Sequence, residues 1–299
     1  MKAVNVKVAK EHNLKSIRAA TITKNVLIQL ALISLSIAFA FPFVWMVSTA
    51  LKASGEVMHE PPIWVPDKLQ WQNFTDALNH GKESLGFSPF LIYARNTLIL
   101  CILTVSGVVL SNALVAYSFA KLRWPGRDLV FKLTLATMMV PFPVLMVPTF
   151  ALFKEVGWIG SFKPLWVPAW FGSAFNIFLL RQFFLTIPKE LSEAATIDGA
   201  TELRIFLDIF VPLSKPAIAV VALFAFMGVW TDFLGPLIYL LDQKQFTLAL
   251  GLQFFQSQNG GTPFNLQMAA TTIVILPVVV LFFFTQRLFI QGIALTGLK

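Results

Sequence analysis

Charged side chains and cysteines are scarce in this sequence of 299 residues. Asp, Glu, Lys and Arg make up only 13% of it, against 57% hydrophobic residues, and the mean hydropathy is +0.73. This composition excludes an ordinary soluble domain and predicts a membrane protein. The single cysteine, Cys101, lies inside an apolar run, which excludes an intramolecular disulfide and a Cys-rich metal site.

The sequence also lacks the residue clusters that enzymes use. His12, His59 and His80 lie far apart outside the apolar runs, so we expect them to be solvated. A membrane-embedded enzyme would need His, Asp, Glu or Cys clustered at one depth, and no such cluster is present. A Gly-x-x-x-x-Gly-Lys-Ser/Thr phosphate loop is missing too, since Gly81-Lys82 is followed by Glu83. No metal or cofactor is therefore expected.

The net charge of +8 does not point to nucleic acid, because the basic residues sit in short loops between apolar runs. Six apolar runs are long enough to cross a bilayer. They predict an all-α polytopic membrane protein with six transmembrane helices: Asn25 to Thr49, Asn96 to Ala120, Leu129 to Leu152, about Leu165 to Phe184, Ala217 to Leu241 and Met268 to Ile290. Pro141, Pro143 and Pro148 predict that the third span kinks and lines the interior.

The distribution of basic residues predicts the topology. With six spans both termini lie on one side, and that side carries sixteen of the 23 Lys and Arg residues. By the positive-inside rule this side is cytoplasmic. We expect a cytoplasmic tail over 1–25, the first helix and a large external loop over 26–95, a transmembrane domain over 96–290 and a second cytoplasmic tail over 291–299.

A charged loop over 187–212 follows the fourth span and falls on the cytoplasmic side. Pro188 suits the first turn of a helix, and Gly199 suits the left-handed residue just past a helix end. We therefore expect a short helix from Lys189 to Asp198. Thr201 can cap a second helix, which should run until Pro212 bends or stops it.

Within this loop Glu193-Ala194-Ala195, followed by Gly199 and later by Val211-Pro212, resembles the EAA motif of ABC importer permeases, with Val211 where that family usually has Leu. Further segments resemble carbohydrate importers of the maltose permease type: Asn96-Thr97, Ala116 to Arg127, Phe183-Phe184 with Ile187-Pro188, Trp230 to Leu237, Gln286 to Gly292 and Gly297 to Lys299. Thr231 replaces an Asn that is usual there.

The resemblance implies the type I ABC importer permease fold in a bacterial inner membrane, and it implies partners. These are a second homologous permease, two ATPase subunits that supply the energy, an external solute-binding protein and a sugar substrate. It also implies that the loop forms coupling helices seated in a cleft of the ATPase, through Glu190, Glu193, Ala194, Ala195, Asp198, Gly199 and Ala200. The alternative for this loop is an amphipathic connector on the membrane surface.

Asp232 is placed deep within the predicted fifth span, where a charge costs about 2.5 to 3.5 kcal/mol. At helical spacing it shares a stripe with Ala225, Gly228 and Gly235. Asp232 either binds sugar hydroxyls along a pathway or bonds to backbone or to a partner permease, and both interpretations stay open. Trp230 either stacks on a sugar ring or anchors the helix at the membrane interface; we favour the anchor.

An ion-coupled secondary transporter is the alternative function. Such a protein would be expected to show internal repeats and several ionisable residues within its spans. This sequence shows chiefly Asp232 and no repeat.

Overall fold

The computed structural model describes residues 2–255 and 262–296, apart from the side chains of 2–20, 254 and 287–296. The described chain is built of helices, with no strand among those residues. The α-helices are α1 Lys2–Ala50, α2 Gln72–Asn79, α3 Lys82–Leu85, α4 Pro89–Lys121, α5 Arg127–Ala136, α6 Phe142–Glu155, α7 Lys163–Trp166, α8 Ala174–Thr186, α9 Lys189–Ile197, α10 Glu202–Ile205, α11 Val211–Leu213, α12 Lys215–Trp230, α13 Leu234–Tyr239, α14 Leu248–Gly251 and α15 Phe264–Thr296.

The central element is α4, an uninterrupted helix of 33 residues. Pro89 stands in its first turn, where a missing N–H costs nothing, and the apolar run behind it contains no further proline. It packs against α8 and α12, and Gly107 at its middle lies so close to the Trp170 indole that a Cβ would overlap it. At 1.5 Å per residue α4 is about 50 Å long, enough to cross a bilayer and extend beyond both faces.

Three helices are long and apolar enough to span a membrane unbroken: Thr21–Ala50, Pro89–Lys121 and Phe264–Gln286. Three further helix pairs qualify as spans that are sharply bent: Arg127–Met139 with Phe142–Glu155, Lys163–Thr186 with Lys189–Ile197, and Glu202–Leu213 with Lys215–Trp230. Together these make up to six spans, and each predicted span has a counterpart among them.

The third span bends by 100° at Val140 and Pro141. A residue before proline is pushed out of the helical region, and Val140 is extended with φ −84° and ψ 114°. The predicted kink is therefore confirmed. Within this single chain the side chains around the bend face outward and Met139 is 84% exposed, so the interior position of this span stays a prediction.

The fifth span differs most from the prediction of one helix from Ala217 to Leu241. Helix α12 ends at Trp230, three residues break the chain, and α13 begins at Leu234. A continuous helix would need an N–H at position 236 to reach the Asp232 carbonyl, and Pro236 has none. Asp232 therefore lies in a turn rather than deep within a helix, and the stripe from Ala225 to Gly235 is not continuous.

The terminal regions are more helical than the sequence indicated. Residues 2–25, predicted as a tail, continue α1, and α15 runs from Phe264 to Thr296 rather than from Met268 to Ile290. Residues 297–299 lie outside the described part. The predicted external loop, residues 51–95, contains α2, α3 and the first residues of α4.

Candidate functional site

The charged loop forms a short helix that turns away from the membrane spans. Helix α9 follows the extended Pro188 and lies at 75° to the preceding helical segment Lys163–Thr186. Its bounds, Lys189–Ile197, agree with the predicted helix to within one residue. The local signals at its two ends, a proline and a glycine, were sufficient to place it.

The C-terminal end of α9 is closed by a Schellman motif. Gly199 takes the left-handed conformation with φ +81°. Its N–H donates to the Thr196 carbonyl at 3.0 Å, and the Ala200 N–H donates to the Ala195 carbonyl at 2.9 Å. These two bonds pair carbonyls that a helix end otherwise leaves free, so the turn after α9 is sharp and well defined.

The outer face of α9 carries charged and apolar side chains together. Glu190, Glu193 and Asp198 are exposed, and among the described side chains none of them lies within ion-pair distance of a basic group. Beside them Ile197 is 86% exposed. A surface that pairs unshared carboxylates with an exposed isoleucine fits contact with another protein better than contact with water alone.

The two alanines of the motif have different surroundings. Ala194 is exposed, whereas Ala195 and Ala200 pack against the buried core. Small side chains at these inner positions let α9 lie close to the protein body.

Beneath the loop lies an aromatic cluster of Tyr117, Phe184, Phe206 and Phe210. Tyr117 meets Phe206 and Phe210 with ring centroids 5.2 and 4.9 Å apart, and Phe184 meets Phe210 at 5.8 Å. All four side chains are buried. Edge and tilted contacts at such distances add to the hydrophobic stabilisation, so the loop rests on a tightly packed base.

Two hydrogen bonds fasten this loop to the end of α4. The Tyr117 hydroxyl donates to the Glu202 carboxylate at 2.7 Å, and the Lys121 ammonium donates to the Ile187 carbonyl at 2.8 Å. Sequence reasoning did not single out these contacts. The sequence indicates these contacts only through the spacing of Tyr117 and Lys121. The two residues are four positions apart at the end of an apolar span and therefore share a helix face.

The second helix of the loop differs in detail from the prediction. Thr201 stands at the N-cap position, but its side chain makes no capping bond, and α10 covers only Glu202–Ile205. A π-helical turn over Phe206–Phe210 follows, in which the Val211 N–H bonds to the Phe206 carbonyl. The chain then bends by 80° at Ser214, two residues after Pro212.

The residues predicted along a solute pathway do not form one cluster. The Trp230 indole is only 6% exposed, donates to the Val274 carbonyl at 3.1 Å and stacks on Phe226 at 5.2 Å. It is therefore a packed core side chain in this chain, with neither the exposed position of an interface anchor nor a free face for a sugar.

Asp232 lies beside Gly235 but not beside Gly228. One Asp232 carboxylate oxygen accepts the Gly235 N–H at 3.0 Å, the backbone contact that had been one of its two interpretations. Gly228 faces open space, whereas Gly235 is buried with Leu165 3.0 Å from the position of a Cβ. The pathway role of these residues stays a prediction.

Comparison with known proteins now decides the family. The sequence model of the family described as "Binding-protein-dependent transport system inner membrane component" matches residues 112–295. The chain belongs to this family. It is an inner-membrane transport component, as the EAA-like loop predicted, and not an enzyme.

Curated relatives cover nearly the whole chain. The arabinooligosaccharides transport system permease protein AraQ of Bacillus subtilis is 31% identical over 272 residues, which are 89% of this chain and 92% of AraQ. The sn-glycerol-3-phosphate transport system permease protein UgpE of Pectobacterium atrosepticum is 32% identical over 259 residues, 86% of this chain and 91% of UgpE.

The fold matches a solved structure as well. A bacterial ABC transporter involved in the import of the acidic polysaccharide alginate contains a chain that superposes with a TM-score of 0.77 at 19% identity, covering 88% of this chain and 95% of that one. At that identity the likeness shows the fold, and the importer permease fold expected from the resemblance is confirmed.

Proposed function

We propose that this permease forms half of a carbohydrate pathway and is driven by ATP hydrolysis in a separate ATPase subunit that binds α9. The observation that carries the proposal is the outer face of α9, where Glu190, Glu193 and Asp198 surround an almost fully exposed Ile197. Such a face presents an apolar anchor and three charges to a basic cleft in a partner.

The contacts that hold α9 against the rest of the protein support a role in transmitting movement to the membrane helices. Its base is the aromatic cluster, and Lys121 and Tyr117 join the loop to the end of α4. A force on α9 is therefore passed to α4 rather than absorbed by a flexible connection. Interior packing resists compression, so movement of the loop repositions whole helices.

A second permease is expected to cover the exposed apolar surfaces. The most apolar window of α1 is not buried at all in this chain, and the side chains around the bend of the third span face outward. The prolines of that span would then line an interior formed by two chains. An external solute-binding protein follows from the family's description as binding-protein-dependent.

Carbohydrate is the substrate class favoured by the relatives named AraQ and by the resemblance in the sequence, whereas the relatives named UgpE are named for sn-glycerol 3-phosphate. AraQ is named for arabinooligosaccharides, and the resemblance to maltose-type permeases extends over most of the sequence. Asp232 and its surroundings at the break between α12 and α13 are the candidate pathway residues within this chain.

The orientation is part of the same proposal. Sixteen of the 23 basic residues, both termini and the loop 187–212 are placed in the cytoplasm, where an ATPase is available. The regions 1–25 and 291–299 are the cytoplasmic ends of this arrangement, and 96–290 is the permease domain.

Purification tests the proposal. The epitope-tagged permease is isolated in mild detergent as wild type, as Glu193→Lys and as Glu155→Lys, a matched charge reversal at an exposed residue far from α9. We expect a second permease and an ATPase with the wild type and the control, and at least tenfold less ATPase with Glu193→Lys. A permease that purifies alone and transports solute in vesicles without ATP would instead be an ion-coupled secondary transporter.

A further inference from the structure

A pocket of about 330 Å³ lies at the end of α4 opposite the charged loop. Its walls come from the segment 77–93 and from residues 243–255, and they include the side chains of His80, Phe90, Tyr93, Gln243 and Phe255. Its volume falls within the roughly 300–1,000 Å³ of small-molecule sites. Neither the EAA-like loop nor the Asp232 region includes any of these residues.

The position of the pocket follows from the length of α4. Tyr93 on its wall and Tyr117 beneath α9 are on the same uninterrupted helix. At 1.5 Å per residue they are about 36 Å apart, more than the thickness of the hydrocarbon core. If α9 meets a cytosolic ATPase, the pocket therefore opens on the external side, where solute arrives.

The pocket wall contains a buried hydroxyl with a weak partner. Tyr93 is only 4% exposed, and its hydroxyl lies beside the Gln243 side chain in a weak polar contact, without a hydrogen bond of full geometry. A buried polar group left unpaired is costly, so such groups usually have a partner. In a pocket wall a ligand with a hydroxyl group can replace this weak contact.

The remaining walls combine aromatic rings with uncharged polar groups. His80 stacks on Phe255 with centroids 4.5 Å apart and planes at 14°, and Phe90 lies beside them. Among the described residues that line the pocket none is Asp, Glu, Lys or Arg. Burial lowers the pKa of His80, which keeps its ring neutral at pH 7. A phosphate or a uronate would find no countercharge on these walls.

The wall formed by residues 243–255 is held firmly against α4. Asn96 donates to the Lys244 and Phe246 carbonyls at 2.8 and 3.0 Å, and the buried Thr97 hydroxyl accepts the Leu248 N–H at 2.9 Å. These three bonds hold the Gln243 side of the pocket at a fixed distance from Tyr93. The site is thus built before any ligand arrives, which favours binding.

We propose that this pocket binds one ring of a neutral saccharide, with the Tyr93 hydroxyl and the Gln243 amide bonding to sugar hydroxyls and the aromatic side chains covering the apolar face of the ring. The proposal rests on the proposed carbohydrate function and narrows it to uncharged sugars. It also places a contact with the substrate in this permease outside the membrane-embedded pathway.

Saturation-transfer NMR on the purified permease complex in lipid nanodiscs, without solute-binding protein, tests the site. The probes are arabinotriose and maltotriose, with glycerol 3-phosphate as the anionic comparison. We expect transfer to at least one neutral sugar and none to glycerol 3-phosphate. Tyr93→Phe removes only the hydroxyl and should weaken sugar binding about three- to tenfold, the effect of one hydrogen bond.

Two further variants test whether the effect on sugar binding is specific to the pocket. His80→Phe retains the stacked ring but loses its nitrogens and should also weaken binding, whereas Tyr239→Phe, the same change at a buried tyrosine outside the pocket, should not. Because the Tyr93 hydroxyl makes only a weak contact with Gln243, Tyr93→Phe should lower the unfolding temperature little.

The proposal is overturned by equal sugar signals in all variants or by no signal from either neutral sugar. If the ATPase still co-purifies in those cases, the proposed importer function is not contradicted.

Discussion

Gly199 sets the direction in which the chain leaves α9. Its φ of +81° is open to glycine at no steric cost, while other residues lose roughly 1–2 kcal/mol there. Nothing lies within 4 Å of the position of a Cβ, so a substitution acts through the backbone and not through a clash. A substitution at Gly199 therefore changes the geometry of the turn without directly disturbing the packing of the loop.

Gly199→Val should uncouple ATP hydrolysis from uptake, because a β-branched residue disfavours the left-handed turn and shifts α9 away from its partner. We expect solute uptake to fall at least tenfold in vesicles while the protein reaches the membrane in normal amounts. Gly199→Asn, which tolerates the left-handed region, should retain most uptake. Normal uptake by the valine variant would contradict the role given to this turn.

Single residues could be predicted from the sequence where their signal is local. Gly199 and Pro188 were placed correctly because the backbone constraint of each residue acts on its immediate neighbours. The Tyr117 contact with Glu202 and the Tyr93 contact with Gln243 join residues that are 85 and 150 positions apart along the chain. Hydropathy and spacing do not encode such distant pairs.

At the scale of elements, the apolar runs located the spans but not their breaks. Hydropathy averages over about 19 residues, so a three-residue interruption such as Thr231 to Phe233 does not register. The prolines at 141, 212 and 236 were visible in the sequence. Whether each one kinks, ends or starts a helix depends on which packed neighbours accept the freed backbone groups.

The junction between α4 and α14 is a fixed contact between elements. Thr97→Val should lower the free energy of unfolding by about 1–3 kcal/mol, because it leaves the buried Leu248 N–H without an acceptor. Thr272→Val removes only a bond to the carbonyl of Met268 in its own helix and should cost roughly 0.5 kcal/mol or less. Denaturation in detergent compares the two, and equal costs would mean that the junction is not a stable contact.

At the scale of the whole molecule, this chain is incomplete as a membrane protein on its own. Its buried core lies along α4, α8 and α12, whereas α1 and the bent third span leave large apolar faces uncovered. Lipid covers some of these faces, and the second permease of the proposed importer is expected to cover the others.

Orientation can be checked on the whole molecule through its one cysteine. Cys101 is buried, so Cys101→Ala gives a background for single introduced thiols. A cysteine at Glu190 should react with an impermeant maleimide only in inverted vesicles, and one at Lys68 only from the outside of intact cells. The reverse pattern would place the charged loop outside and exclude an ATPase as its partner.

The continuity of α4 has a consequence for how such permeases diverge. The pocket proposed to bind the sugar and the surface proposed to bind the ATPase lie at opposite ends of α4 and share no side chain. Each can change without disturbing the other. Grafting residues 187–206 from a relative should therefore change which ATPase subunit binds this permease, without changing which sugar the permease prefers.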